Sequence, residues 1–402
     1  MIISTSLDAR CFNIVLSGHH QHQQRGAIVY VEQIIMREIP LKLKEPFRIS
    51  SGTTFERRIL LLEITDENGT AAWSECVAGE QPNYSSETID TAWLMIGEHA
   101  APRVLGREIG HPSEVWSLLE KEFRGHKMAK AAVEMGLWEL YARRENVALS
   151  RLIGGERPSV ETGISIGIQS SPAELVEEVT ARLEEGYRKI KVKIMPGSDL
   201  EYLSALRQAF GPDIPLMVDA NCAYSFKDID RLTALDRLGL MMIEQPLGRD
   251  DLLQHARLQN MLITPICLDE SITGPDRVRD MLEMGSGRIV NIKPGRVGGF
   301  GPSIAIHNLC LDAGIPIWCG GMLESGIGRG YNLALASLPG FTLPGDLSPS
   351  ARYWERDIVT PEWTMEHDGM VILPLDQPGT GVAVDSQFVE SLTLRSAVLT
   401  PG

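Results

Sequence analysis

Five charged residues recur along the middle of the sequence, each at the end of a short apolar run. They are Lys193, Asp219, Glu244, Asp269 and Lys293, and successive members lie 26, 25, 25 and 24 residues apart. A charge at the end of a buried strand is costly unless it is paired or binds a metal ion. Three carboxylates at matching positions favour a hard cation, so we expect Mg²⁺, or alternatively Mn²⁺. The alternative is that each acid caps the next helix or pairs with a neighbour.

The lysines indicate proton transfer. If the apolar runs are strands of a closed eight-stranded barrel, Lys193 lies on the second strand and Lys293 on the sixth. These two strands face each other, so the lysines would approach a substrate from opposite sides. A lysine base needs a pKa well below its reference of about 10.4, and neighbouring cations lower it. Lys191 and Arg296 are such neighbours, although Arg296 could equally form a loop ion pair and the two strand lysines could simply balance the acids. The set is typical of removing a proton α to a carboxylate to give an enediolate.

Two weaker candidates and two glycine-rich segments complete the set. Ser165 lies on the first strand and could contact substrate, although a serine there is more often structural. Asn221, two residues after Asp219, could orient a ligand or a lysine. Segments 297–301 and 320–330 lack the ending of a phosphate loop, which favours tight turns or substrate lining.

The apolar runs that carry these residues form an internal repeat. The runs are IKVKI, PLMVDA, LMMIEQP, PICLDES, IVNIKP and IPIWCGG. Nearly continuous apolar runs of this length indicate strands buried on both faces, and amphipathic segments separate them. With 163–168 as the first strand and 340–343 as the eighth, we predict an α/β fold, a TIM-type (β/α)7β barrel. An open doubly wound sheet is the alternative, but no G-x-G-x-x-G follows the first strand.

The sequence before the repeat has a different pattern. Alternating apolar residues, an Asp-Glu-Asn-Gly turn at 66–69 and three helical segments at 86–105, 112–123 and 127–146 indicate an N-terminal α+β capping domain. The predicted divisions are a flexible extension at 1–26, the cap at 27–150, the barrel at 151–350 and a C-terminal segment at 351–402 that packs back on the cap.

Composition excludes several classes of protein. The chain has 402 residues, 43% of them hydrophobic, and a net charge of -15 that disfavours binding to nucleic acid. It lacks an apolar run of the roughly 18 residues that a membrane helix needs. Its six cysteines form no C-x-x-C pair, which favours the cytoplasm. We expect a small-molecule carboxylate as the partner, and a homo-oligomer.

Several segments resemble the enolase superfamily. They are RKIKVKI, VDANCAY, IEQPL, ICLDES, IVNIKPGRVGG, WCGGMLESGIGR and LPGD. Members of the mandelate racemase type would place a histidine where this chain has Trp318-Cys319-Gly320-Gly321, so the sequence resembles the muconate-lactonizing-enzyme subgroup. Within it, the chain is similar to the family of o-succinylbenzoate synthases and N-succinylamino acid (N-acylamino acid) racemases. The resemblance implies metal ligands at Asp219, Glu244 and Asp269, an acid/base pair at Lys193 and Lys293, and electrostatic support from Lys191.

The same resemblance implies a closed pocket and an activity. Cap segments 47–54 and 82–85 would close over the substrate, and a segment containing Gly320, Met322 and Glu324 would line the acyl pocket. We expect a carbon–oxygen lyase that forms o-succinylbenzoate in menaquinone synthesis and also racemises N-succinylamino acids. The alternatives are a dedicated racemase, a cycloisomerase, a dipeptide epimerase, whose usual D-x-D is broken here at Asp346-Leu347-Ser348, and a barrel that binds ligand without catalysis.

Overall fold

The computed structural model describes residues 28–50 and 52–402, so the predicted extension at 1–26 lies outside the described residues. The strands are β1 Val29–Ile49, β2 Gly52–Asp66, β3 Ala71–Cys76, β4 Glu108–Ile109, β5 Ser159–Glu161, β6 Ile164–Ile166, β7 Ile190–Lys193, β8 Leu216–Asp219, β9 Ile243–Glu244, β10 Ile266–Leu268, β11 Ile289–Ile292, β12 Ile317–Cys319, β13 Val359–Thr360, β14 Met370–Ile372, β15 Ala383–Val384 and β16 Arg395–Leu399. The α-helices are α1 Ile89–Met95, α2 Val115–Glu120, α3 Lys127–Arg144, α4 Leu149–Leu152, α5 Pro172–Glu184, α6 Leu200–Phe210, α7 Ile229–Ala234, α8 Leu252–Gln259, α9 Pro275–Met284, α10 Pro294–Val297, α11 Phe300–Asp312, α12 Gly326–Ala336 and α13 Ser386–Leu392. None of these described helices is both long and apolar enough to cross a membrane.

The N-terminal part is an antiparallel sheet of order β16-β1-β2-β3 with helices packed on it. The turn between β2 and β3 forms at the predicted position, where the Asp66 carboxylate accepts from the backbone N–H groups of Asn68 and Thr70 at 2.9 and 2.8 Å. The C-terminal strand β16 pairs with β1, so both ends of the described chain meet in this sheet. The structure therefore shows the expected α+β cap, while the exact domain boundaries stay predictions.

Helix α3 lies between the cap and the barrel. All of its residues from Met128 to Ala142 are buried, and they divide between two apolar cores. A side chain at Gly136 would place its Cβ 2.6 Å from Cδ1 of Ile64, so glycine lets the helix lie directly on the cap sheet. One face of α3 therefore packs into the core of the cap, and the other packs into the core that contains the barrel.

The barrel consists of a parallel sheet of order β12-β11-β10-β9-β8-β7-β6, which follows the sequence. Residues 341–346 fill the remaining gap, because Asp346 N donates to Cys319 O at 2.9 Å and Gly345 N donates to Glu161 O at 3.1 Å. This closure confirms the predicted barrel and excludes the open doubly wound sheet, but in place of the eighth strand predicted at 340–343 the described chain has isolated bridges at Phe341 and Gly345. The carboxyl ends of all these strands therefore meet at one mouth.

Two buried carboxylates of the cap bind the first turns of barrel helices. Glu134 of α3 accepts from Phe300 N at 2.7 Å and Gly301 N at 2.8 Å, at the start of α11. Glu75 of β3 accepts from Ser325 Oγ at 2.6 Å and Gly328 N at 3.2 Å, at the start of α12. Burial raises the pKa of both carboxyls to about 7. These contacts give the cap a fixed position on the barrel, because a helix N-terminus offers unpaired N–H groups to an acceptor.

We predict that Glu134→Ala loosens this junction. The Phe300 and Gly301 N–H groups would lose their acceptor inside the protein, which costs about 1–3 kcal/mol. Scanning calorimetry should show a lower unfolding midpoint. Glu177→Ala, a change of an exposed residue on α5, is the matched control and should shift stability by less than about 0.5 kcal/mol. Equal midpoints for the two variants would contradict the assignment.

Candidate active site

The mouth of the barrel brings together the five charged residues of the sequence repeat. In the strand register Lys193 lies opposite Asp219, and Asp219 lies opposite Glu244. Asp269 follows one residue after β10, and Lys293 follows one residue after β11. All five side chains are buried. Strands β7 and β11 are four positions apart around the ring, so the two lysines come from opposite sides.

Lys193 is held by two oxygen atoms from the barrel. Its Nζ lies 2.6 Å from Asp219 Oδ2 and 2.8 Å from Asn221 Oδ1. Asn221 has a φ of 42°, and its amide nitrogen donates to Glu270 Oε1 at 3.0 Å. Asn221 therefore contacts a lysine, which is the contact that one of its two suggested roles requires. Burial lowers the pKa of Lys193, and this outweighs the opposing effect of Asp219.

Lys293 is held from both the barrel and the cap. Its Nζ lies 2.7 Å from Asp269 Oδ2 and 3.1 Å from the hydroxyl of Tyr84. Burial lowers the pKa of Lys293, whereas Tyr84, Glu244 and Glu270 raise it, and the net result is a pKa above the usual value. The sequence led us to expect cationic neighbours to lower the pKa of a lysine base. At Lys293 the pKa is raised instead, because Tyr84, Glu244 and Glu270 together have a larger effect on it than burial.

Gly320 makes room for Lys293. A Cβ at this position would lie 2.6 Å from Cε of Lys293 and 2.4 Å from Oδ1 of Asn291. Any larger residue at the end of β12 would therefore displace the lysine. Gly320, which the sequence predicted to line the substrate pocket, therefore leaves the space that the Lys293 side chain occupies.

A second layer of charge lies below the two lysines. Lys191 Nζ lies 2.6 Å from Asp346 Oδ2, 3.2 Å from Glu244 Oε2 and 3.3 Å from Asp219 Oδ2. Lys189 Nζ lies 3.3 Å from Asp346 Oδ1 and 3.4 Å from the ring centroid of Trp318. Burial opposes the charge on Lys191, but the three carboxylates raise its pKa well above the usual value. Lys191 thus lies among the acids, where the resemblance implies electrostatic support, and that role stays a prediction.

Arg296 is a buried member of the site. It forms a close ion pair with Asp269, and it donates from Nε to Ile272 O at 3.0 Å and from Nη2 to Asn291 O at 2.6 Å. Arg296 therefore forms an ion pair, as the alternative expected, but the pair is buried. Arg296 shares Asp269 with Lys293, so it lies where a cation can affect that lysine.

The remaining predicted residues occupy different positions. Ser165 is buried opposite Lys191 in the strand register, and its hydroxyl has no hydrogen-bond partner. Met322 packs against the apolar core of the cap. Glu324 is buried, accepts from Asn332 of α12 at 2.8 Å and lies 3.8 Å from Arg329. The contacts described for Glu324 are therefore with α12, whereas Ser165 lies below the mouth.

The cap covers the mouth through both predicted segments. Backbone N–H of Ile168 donates to Arg48 O at 3.0 Å, and Ser50 Oγ donates to Asn221 O at 3.4 Å. Tyr84, from segment 82–85, reaches Asp269 with its hydroxyl at 3.1 Å. Sequence reasoning missed Tyr84, Lys189 and Asp346 as members of the site. Lys189 could have been predicted, because it alternates with Lys191 and Lys193 along the segment RKIKVKI. Asp346 could have been predicted because it ends the LPGD segment.

The acidic residues have the donor chemistry of a magnesium site. Asp219, Glu244 and Asp269 offer hard oxygen atoms on adjacent strand ends, as Mg²⁺ prefers. Burial and the charge of Asp219 raise the pKa of Glu244, so the carboxylates affect one another. In the described conformation each carboxylate is paired with a lysine or an arginine. Among residues 28–50 and 52–402, no three acidic, histidine or cysteine side chains form a group ready to hold a metal ion.

Comparisons with known proteins agree with this geometry. Residues 31–154 match the family described as mandelate racemase / muconate lactonizing enzyme, N-terminal domain, and residues 174–388 match the enolase C-terminal domain-like family. An o-succinylbenzoate synthase of Geobacillus stearothermophilus is 49% identical over 368 residues, which cover 91% of this chain and 96% of the relative. An N-succinylamino acid racemase of Thermus thermophilus is 47% identical over 364 residues, covering 90% and 97%. The solved structure of an enolase superfamily member from Listeria innocua aligns with a TM-score of 0.89 and 36% identity, over 92% of this chain and 99% of that one.

We predict that Asp346→Asn destabilises the protein. The substitution leaves the buried ammonium groups of Lys189 and Lys191 short of a counter-charge, and breaking a buried pair in this way costs about 3–5 kcal/mol. The measurement is the thermal unfolding midpoint at pH 7. Asp312→Asn, at the exposed end of α11, removes a similar charge without a buried partner and should melt like the wild type. An unchanged midpoint for Asp346→Asn would show that Asp346 is not the required counter-ion.

Proposed function

The chain belongs to the mandelate racemase and muconate lactonizing enzyme family of the enolase superfamily, and from this membership we propose that it is an o-succinylbenzoate synthase that also racemises N-succinylamino acids. The observation that carries the proposal is the placement of Lys193 and Lys293 on opposite sides of one buried acidic centre. Among relatives at 43–49% identity, some are named o-succinylbenzoate synthase and others N-succinylamino acid racemase. One pocket with two opposed lysines suits both reactions.

In the dehydration, one lysine transfers the proton. Lys193, whose pKa burial lowers, removes the proton α to the carboxylate of a cyclohexadiene substrate, and the C–H electron pair moves into an enediolate. The C–O bond then breaks, and the proton on Lys193 passes to the leaving hydroxyl, so that water departs and the ring becomes aromatic. Lys293 stays charged beside the developing negative charge, in keeping with its raised pKa.

In the racemisation, both lysines transfer protons. One removes the α-proton of an N-succinylamino acid, and the opposite lysine delivers a proton to the other face of the planar carbon. For the reverse enantiomer the roles exchange. This reaction needs a neutral amine on one side of the carbon and an ammonium on the other, and strands β7 and β11 place one lysine on each side.

We propose Mg²⁺ as the cofactor, with Mn²⁺ as a substitute. Asp219, Glu244 and Asp269 would hold the ion, and Lys191 would then remain paired with Asp346. When bound, the ion supplies positive charge that offsets the extra negative charge on the substrate carboxylate. The substrate is the small-molecule partner, while a cytoplasmic location and a homo-oligomeric state stay predictions.

Removing any of the three acids should abolish metal binding, and because each acid is also a buried counter-ion it should lower the unfolding midpoint as well. Asp219→Asn, Glu244→Gln and Asp269→Asn each delete a hard oxygen ligand, so calorimetric titration with MgCl₂ should show no binding and dehydration should stop. Asp213→Asn, an exposed control, should bind and turn over like the wild type. Treatment with a chelator should abolish the dehydration activity of the wild type. Full activity of a metal-stripped sample would rule out the proposed chemistry.

The two lysines should differ in which enantiomer they serve. In D₂O, the wild type should exchange the α-proton of both enantiomers of an N-succinylamino acid and racemise both. Lys193→Ala and Lys293→Ala should each lose racemisation, because loss of a general base lowers the rate about 10²- to 10⁴-fold. Each variant should still exchange the α-proton of the one enantiomer that faces the remaining lysine. Proton NMR of each enantiomer measures this directly.

Exposed Lys227→Ala is the control and should behave like the wild type. Racemisation by either active-site variant at near the wild-type rate would contradict the opposed-lysine arrangement.

A further inference from the structure

Tyr84 belongs to the cap but ends in the barrel mouth. It lies on the loop 77–88 between β3 and α1, and its hydroxyl is 3.1 Å from Asp269 Oδ1, 3.1 Å from Lys293 Nζ and 3.3 Å from Arg296 Nη1. The Lys293 ammonium also lies 4.7 Å from the centre of the Tyr84 ring. One side chain of the cap therefore contacts a lysine, an arginine and the acid that they share.

The loop that carries Tyr84 is fixed at both ends. At its start Arg57 donates from Nη2 to Val77 O at 3.2 Å and to Ala78 O at 3.3 Å. At its end the Glu87 carboxylate accepts from Met128 N at 3.0 Å and Ala129 N at 3.1 Å, at the first turn of α3. The position of the phenol is therefore determined by the folded cap.

The hydroxyl uses all of its hydrogen-bonding capacity. A phenol has one hydrogen to donate and oxygen lone pairs that accept. Here it donates to Asp269 and accepts from Lys293 and Arg296. A lysine ammonium ends a flexible chain with freely rotating donors, so such partners decide where it rests.

Packing alone does not hold the phenol. A cavity of about 170 Å³ lies beside it, lined among others by Glu87, Lys127, Arg249 and Glu270. Tyr84 also packs against the apolar core of the cap, and the hydrogen bonds of its hydroxyl add to this contact in keeping it against Lys293. Lys193 differs, since its two polar partners, Asp219 and Asn221, both come from the barrel.

We propose that Tyr84 is a positioning residue for Lys293, which makes proton transfer on one face of the substrate depend on the cap while transfer on the other face depends on the barrel. The proposal rests on the proposed function, because it assigns Tyr84 to one of the two lysines in that reaction. It predicts an effect on one enantiomer, which general loosening of the site would not produce.

The test is Tyr84→Phe, which removes the hydroxyl and keeps the ring. With MgCl₂ in D₂O, proton NMR follows loss of the α-proton from N-succinyl-L-phenylalanine and from the D enantiomer. The Lys293 side is defined as the enantiomer whose exchange Lys293→Ala abolishes. On that side kcat should fall about 10- to 100-fold, while the Lys193 side should stay within about threefold of the wild type.

The matched control is Tyr202→Phe, which removes an exposed hydroxyl that donates to Ser170 O and should change neither side. Equal losses on both sides in a Tyr84→Phe protein that melts like the wild type would overturn the proposal, and so would no loss on either side. A wild type that exchanges neither enantiomer would instead overturn the proposed function.

A second variant guards against a folding defect. Arg249 donates from Nη1 to Tyr84 O at 3.5 Å, so Arg249→Gln loosens the loop without removing the phenol. If Tyr84→Phe melts at a much lower temperature, Arg249→Gln takes its place. A loss confined to the Lys293 side supports the proposal, and an equal loss or no loss contradicts it.

Discussion

Compensation of buried charge is the constraint on which the site depends. Five carboxyl groups (Asp219, Glu244, Asp269, Glu270 and Asp346) and five basic groups (Lys189, Lys191, Lys193, Lys293 and Arg296) are buried together at one end of the barrel. An unpaired charge there would cost several kcal/mol, so the groups must interleave. They do so because parallel strands end at the same level, which places an acid and a base from neighbouring strands within ion-pair distance. The barrel is thus the means of keeping reactive charges out of water.

The cap covers the mouth of the barrel and also contributes a hydrogen-bonding group, the Tyr84 hydroxyl, to the buried charges there. Its helix α3 supplies side chains to both apolar cores, and its carboxylates Glu75 and Glu134 bind the first turns of barrel helices. These interactions define the distance between the cap sheet and the mouth. With that distance fixed, a single loop can place a hydroxyl among the charged groups, which a loosely attached lid would not do.

The sequence predicts what is periodic and misses what depends on contacts between distant segments. The repeat of about 25 residues was sufficient for the barrel and for bringing the five charged residues to one mouth, because register follows from the repeat. Tyr84 is 185 residues from Asp269, and no local pattern connects them. The predicted helix at 86–105 also changes character, since α1 passes into a π-helix at Ile96–Ala100 and a 3₁₀ turn containing Pro102, which lacks an N–H group.

The unequal surroundings of the two lysines explain how one pocket can carry two reactions. Dehydration asks Lys293 only to remain a cation, whereas racemisation asks it to give up and take back a proton. The contacts that raise its pKa suit the first role, and the hydroxyl of the cap residue Tyr84 holds its ammonium in place for the second. Lys193 is bound to barrel residues and keeps a lowered pKa in either case. The two lysines therefore differ in where their partners come from, because the cap reaches Lys293 while the partners described for Lys193 come from the barrel.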